Sequence, residues 1–318
     1  MRALLVEDFG PFETHGIKEL PDPAPGPGEV IVEARAMGLN FPDLLMVEGK
    51  YQHQPARPFI PGFDAAGVVS AVGKGVGRVA LGDRVLASLR HGAFATRVTA
   101  PEQGVWRMPE AMSFEHGAAF GLAYLTAYIS LLENAGAKAG ETVLITGASG
   151  GVGLAMVQFG AARGMRIIGG ATSAEKALLA QENGAESTVD LASENLRDSL
   201  REEIYALTEG AGVDLVVDLV GGDVFDAAIR AIRPGGRIAE IRTNYLLNKR
   251  LSAIGSPLTS GRDGTDALKD RAMAELLRLY EAGGLRPVIS ARIAFDDWRE
   301  GFRRFRERRV TGKMVMAP

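Results

Sequence analysis

The chain has 318 residues, of which 46% are hydrophobic and 24% charged, with a formal net charge of −3. That length is too great for one ordinary core and suits two domains, and the charge balance gives no electrostatic case for nucleic acid or an anionic membrane. Cysteine is absent, which excludes disulfides, thiol nucleophiles and thiolate metal sites.

The N-terminal MRALLVEDFG is too short in its apolar part for a signal peptide. No stretch reaches the roughly 20 apolar residues of a membrane helix, so a cytoplasmic protein is expected. ALLVED and EVIVEARAMGL read as strands, separated by the punctuated loop PDPAPGPGE. AAGVVSAVG (65–73), GDRVLAS and FATRVTA add short strands. Residues 1 to about 120 therefore predict a mostly β domain with irregular loops.

The pattern changes near residue 117, where GAAFGLAYLTAYISLLENAG carries apolar residues at helical spacing. From TVLIT onward, β-branched strands alternate with helices through VDLVVDLVG, DVFDAAIRAI, GGRIAEI and LSAIGSPL. Such repeats predict a parallel sheet covered by helices. DALKDRAMAELLRLYEAG is a helix with Met273, Leu276, Leu277 and Tyr280 on one face. The end of the chain (PVISARIAF, WREGFRRFRER, KMVMAP) breaks the βαβ rhythm. Its basic run RRFRERR (303–309) reads as a solvated helix face.

GASGGVG (147–153) lies between a strand and a helix, the setting in which a glycine run cradles a dinucleotide. The pattern is Ala148-x-Gly150-x-x-Gly153, with alanine in place of the usual first glycine. Gly150 lets the backbone approach a pyrophosphate and Gly153 lets the helix pack closely. The helix start, with Ser149, Gly151 and Val152, turns N–H groups toward the negative charge. No Lys-Ser/Thr pair follows, so a mononucleotide loop is disfavoured. After the next strand come Gly169 to Lys176, neutral up to Glu175, where an acid would hold the ribose of NAD. Ser173 and Lys176 suit a 2′-phosphate, so NADPH is the expected cofactor. Glu175 reads as charge complementarity at a helix start.

Jointly, GLNFPDLLMVEGKY (38–51), PFIPGFDAAGVVSAVG (58–73), GDRV, GAFATRV, LTAY (125–128), ITGASGGVG, SAEK, DLVGG (218–222), GGRIAEI and TGKMVMAP resemble the zinc-independent branch of the medium-chain dehydrogenase/reductase family, of the NADPH:quinone oxidoreductase (zeta-crystallin) type. The resemblance implies an α/β fold: a Rossmann doubly wound parallel-sheet domain (123–261) inserted in a mostly β GroES-like domain (1–122 and 262–318). It implies hydride transfer from NADPH to a small-molecule electron acceptor in the interdomain cleft, and a homodimer. Zinc-dependent relatives place a cysteine near position 40 and a His-Glu pair after Pro61-Gly62, where this chain has Asn40 and Phe63-Asp64. No metal is therefore expected.

The same resemblance places Asn40 beside the acceptor, its amide a donor or else a loop cap. Tyr51 is the best hydroxyl donor. Asp43 anchors its own segment, Asp64 has a structural role, and Lys50, His53 and His91 are weaker candidates. Thr126, Gly221, Gly222, Asn244 and Lys313 are expected at the cofactor. A quinone is the first-choice acceptor. Activated C=C bonds in enones, alkenals or enoyl-CoA thioesters are the alternative, and a non-enzymatic NADPH-binding protein is a third reading.

Overall fold

The structure is a computed structural model describing residues 1–239, 252–254 and 265–318. The chain divides into two compact units, Met1–Leu122 with Pro287–Pro318, and Ala123–Arg286.

In the first unit β1 (Arg2–Leu5) and β2 (Gly16–Glu19) pair antiparallel. The spine is β3 (Glu29–Leu39), eleven residues of EVIVEARAMGL. A short helix, α1 (Phe41–Val47), follows it directly. Beyond lie β4 (Asp64–Val72), β5 (Arg84–Ser88), β6 (Arg97–Pro101) and β7 (Val105–Arg107). Helix α2 (Phe114–Tyr128) leads out of this unit and continues as a π-helical turn, Ile129–Asn134. Gly38 lets α2 lie against the sheet: a Cβ there would stand 2.0 Å from the Ala118 carbonyl oxygen.

The second unit contains β8 (Thr142–Thr146), α3 (Gly151–Ala162), β9 (Arg166–Ala171), α4 (Ala174–Glu182) and β10 (Ser187–Asp190). Then come α5 (Leu196–Leu207), β11 (Val213–Val217), α6 (Asp223–Ala228), β12 (Ile232–Ala239), β13 (Ser252–Ile254) and α7 (Thr265–Glu281). The six strands lie in the order β10-β9-β8-β11-β12-β13, every pair parallel. Buried aliphatic residues of strands and covering helices, among them Leu144, Ile168, Val216, Leu200 and Phe225, form one core. This is the doubly wound sheet that the alternation of strand and helix predicts.

The chain re-enters the first unit at Pro287, not at 262. The intervening α7 belongs to the second unit, tied by an Arg163–Glu275 ion pair (2.6 Å) and an Arg271–Glu133 pair (3.3 Å). Gln158 then closes it off, accepting from the Arg286 N–H at 2.8 Å and donating to its carbonyl at 2.8 Å. After this point β14 (Ile289–Ala294), α8 (Trp298–Arg306) and β15 (Lys313–Ala317) complete the first unit, where the main sheet runs β14-β15-β3-β4-β5-β7, with β6 on β3. Trp298 and Phe302, one turn apart on α8, pack edge-on with Phe12. The opposite face carries the basic run, which is locally paired: Arg303 and Arg304 with Glu300, Arg306 with Glu13, Arg309 with Glu307.

Candidate active site

In the second unit the carboxyl ends of β8 and β11 meet where the strand order reverses, the place at which doubly wound sheets bind ligands. The glycine run starts there. Gly147 has φ +64°, so it, and not position 148, makes the tight turn that the usual first glycine makes. Ala148 is buried, its Cβ packed over Gly169. Gly153 is indispensable to the approach of α3, since a Cβ there would lie 2.2 Å from the Gly147 carbonyl oxygen. Gly150 faces open space apart from that oxygen at 3.4 Å. The first bond of the α3 ladder runs from the Leu154 N–H to the Gly150 carbonyl (2.8 Å), so the N–H groups of Gly151, Val152 and Gly153 precede the ladder. Ser149 is buried behind them.

At the end of β9, Ser173 caps α4, its Oγ accepting from the Lys176 N–H at 3.3 Å. The Lys176 ammonium lies 3.2 Å from the Thr172 Oγ1. Two hydroxyls and an ammonium thus gather where an acid would select NAD. Thr172 was not singled out by the sequence argument, although its place directly after the strand was the signal. Thr126 is the one partly exposed residue in an otherwise buried stretch of α2 and its continuation, residues 117–131. Gly221 and Gly222 carry successive φ values of +74° and +62° in the loop after β11. Asn244 lies outside the described residues.

In the first unit, Asn40 caps α1 and is only 6% exposed. Its Nδ2 donates to Asp64 Oδ2 (3.0 Å) and to the Gly38 carbonyl (3.2 Å), while its Oδ1 accepts from Lys313 Nζ (2.5 Å). Both amide hydrogens are engaged inside the unit, so the donor expected at the acceptor is spent. Lys313, expected at the cofactor, is likewise turned inward, 5% exposed and 3.7 Å from Asp64 Oδ2. The family-based assignments for these two side chains put them at a ligand; the fold puts them on each other.

Asp64 also accepts from the Leu122 N–H (2.9 Å). Burial pushes its pKa up, against the opposing pull of the Lys313 ammonium. Asp43 accepts from the Asn40 N–H at Oδ2 (2.7 Å), but its buried Oδ1 has no hydrogen-bond partner. Burial raises the Asp43 pKa well above the ordinary carboxylate range, and the Asp64 charge adds to this. Burial lowers that of Lys313. Two carboxyls and one ammonium therefore share a closed interior, with a surplus acid to keep neutral.

Tyr51 is half-buried, its ring edge-on to Phe63 at 5.7 Å. Burial and then the Asp43 charge raise its pKa, so the hydroxyl stays protonated. Among the described residues that hydroxyl has no hydrogen-bond partner. His53 and His91 stack at 5.9 Å beside Phe59. Lys50 pairs with Glu48 at the surface.

Residues 26–110 match the family model described as Alcohol dehydrogenase GroES-like domain, and residues 151–268 match the one described as Zinc-binding dehydrogenase. The chain is 35% identical to the Quinone oxidoreductase-like protein 2 homolog of Nematostella vectensis, over 99% of this chain and 86% of that one. It belongs to the medium-chain dehydrogenase/reductase family. Two solved structures share the fold over the full length of both chains: mycobacterial Rv1454c complexed with NADPH (TM-score 0.92, 28% identity) and Escherichia coli quinone oxidoreductase complexed with NADPH (TM-score 0.90, 27% identity). The protein is an oxidoreductase of this family.

The zinc in one family model's description does not fit the donor set of this chain. Zinc favours thiolate, imidazole and free carboxylate, whereas here an amide and an aromatic ring flank Asp64, whose carboxyl already faces the Lys313 ammonium. No helix of the described residues is long and apolar enough to cross a membrane.

Proposed function

We propose that the protein is an NADPH-dependent reductase that delivers a hydride to a quinone. The observation that carries the cofactor assignment is the end of β9, where Thr172, Ser173 and Lys176 gather hydroxyls and an ammonium. The cradle fits a dinucleotide: the Gly147 turn, the open face of Gly150 and the N–H groups of Gly151 to Gly153 lie at the reversal of strand order. The NADPH complexes of the mycobacterial and Escherichia coli relatives support the same reading.

Bound NADPH supplies the hydride. The residues of this chain hold and orient. The start of α3 receives the pyrophosphate, and Lys176 with its two hydroxyl neighbours receives the 2′-phosphate. Tyr51 presents an unengaged, protonated hydroxyl to the acceptor oxygen, where negative charge develops. That same hydroxyl favours a second reading, reduction of activated C=C bonds in enones, alkenals or enoyl-CoA thioesters, because an enolate-like oxygen benefits from a donor more than a quinone does.

Initial rates with NADPH and NADH against small quinones, enones and enoyl-CoA, measured side by side, test the assignment. NADPH with a quinone should be fastest; a dominant enoyl-CoA rate would reassign the acceptor. Lys176→Ala should weaken NADPH by roughly tenfold or more, the value of a charge-assisted contact, and leave NADH nearly unchanged. Equal effects on the two cofactors would remove Lys176 from the site.

A further inference from the structure

The loop after β11 is held by a device that the glycine motif does not contain. Thr146 ends β8 and Asp218 follows β11, and the two strands pair in parallel with Val217 opposite Ile145. Both side chains are buried, Asp218 at 2% exposure. Thr146 Oγ1 donates to Asp218 Oδ1 at 2.5 Å. The same carboxyl accepts from the Val220 N–H at 3.0 Å and, through both oxygens, from the Gly221 N–H at 3.2 and 3.1 Å. The Leu219 N–H donates back to Thr146 Oγ1 at 3.0 Å. Three successive N–H groups of the loop thus end on one carboxyl–hydroxyl pair.

This arrangement turns two large apolar side chains outward. Leu219 is 41% and Val220 52% exposed, on a loop whose backbone is fully committed. Both stand beside the glycine turn: a Cβ at Gly147 would come 3.3 Å from Val220 Cγ2 and 3.7 Å from Leu219 Cβ. Burial of a carboxyl is unfavourable unless its hydrogen bonds are made. Spending one to hold two exposed apolar residues next to an open cradle makes sense if those residues meet a ligand.

We propose that Asp218 and Thr146 are positioning residues that latch the 219–222 loop across the strand-order reversal, so that Leu219 and Val220 wall the bound dinucleotide beside Gly147. The inference rests on the reading of this unit as an NADPH site. NADPH is titrated into the purified full chain without acceptor, following its fluorescence, and the melting temperature is recorded in parallel. Asp218→Asn and Thr146→Val should each raise the Kd for NADPH roughly ten- to a hundredfold, the range for a hydrogen bond to a charged group. The double variant should be little worse than the worse single one, because the pair shares one bond. Thr146→Ser, which keeps the hydroxyl, should restore the affinity. A merely structural role would lower the melting temperature of Thr146→Val and Thr146→Ser alike without separating their affinities. If Asp218→Asn does not fold, this valine–serine comparison decides alone. Wild-type affinity in Thr146→Val, or a Thr146→Ser as weak as Thr146→Val, overturns the latch. A wild-type chain that binds neither NADPH nor NADH overturns the nucleotide reading itself, and the latch with it.

Discussion

Lys313→Met removes the one ammonium from an interior that holds two carboxyls. The lysine side chain is 6% exposed and that of Asp64 0%. With the ammonium gone, Asp64 keeps the Asn40 amide and the Leu122 N–H, both neutral donors. Removing one partner of such a pair costs about 3–5 kcal/mol, because the remaining charge stays buried without compensation. Total stabilities are about 5–15 kcal/mol, so the loss is large. The assay is urea unfolding at several pH values. Asp64 can escape the penalty by taking up a proton, so the loss should be smallest in acid and grow as pH rises above the ordinary carboxylate range. Lys313→Met with Asp64→Asn should recover most of it, since no charge is then stranded. A single variant that unfolds with the wild type, or a double variant as unstable as the two losses summed, refutes the claim that Lys313 serves to neutralise Asp64.

Asp43→Asn tests the surplus proton. The native pKa of Asp43 is raised, so the folded state holds a proton that the unfolded chain releases near pH 4. Stability from this group is present below that pH and is lost as pH rises through the raised native value, at up to ~1.4 kcal/mol per unit. The variant should flatten that fall in a pH series of melts, and an unchanged slope rejects the assignment. Tyr51→Phe keeps the ring against Phe63 and removes the hydroxyl. Turnover with an enone should drop by roughly a hundredfold while the NADPH affinity holds, and steady-state kinetics showing unchanged turnover would dismiss the donor role.

The features legible in the sequence were those with a short period. Alternation of β-branched strands with helices announced the parallel sheet, and the strand–glycine–helix setting announced the cradle, because each is written within a dozen consecutive residues. The apolar face of α7 was also readable: Met273, Leu276 and Tyr280 are buried. Which unit that face packs against was not, since periodicity records a buried side and not its neighbour. That is why the return to the first unit was placed at 262 and occurs at Pro287. The partners Asn40 and Lys313 lie 273 positions apart. Nothing local to either distinguishes a lysine aimed at a ligand from one aimed at a buried amide. The π-helical turn after α2 and the turn made by Gly147 likewise depend on backbone geometry that residue types permit without specifying.

The two units use buried carboxyls in chemically different ways, and the difference decides what one substitution does in each. At position 218 both oxygens are engaged, Oδ1 with Thr146 and Val220 and Oδ2 with Gly221. An asparagine there replaces one acceptor by an amino group that must face a donor, so a hydrogen bond is exchanged for a repulsive contact. At position 43 only Oδ2 is engaged, accepting from the Asn40 N–H, and Oδ1 meets no partner. An asparagine there keeps the acceptor, sets its amino group on the unpartnered side, and mimics the neutral acid that burial already favours. The same Asp→Asn change is therefore disruptive in the second unit and nearly silent at neutral pH in the first, although both carboxyls are buried and both sit just past a strand.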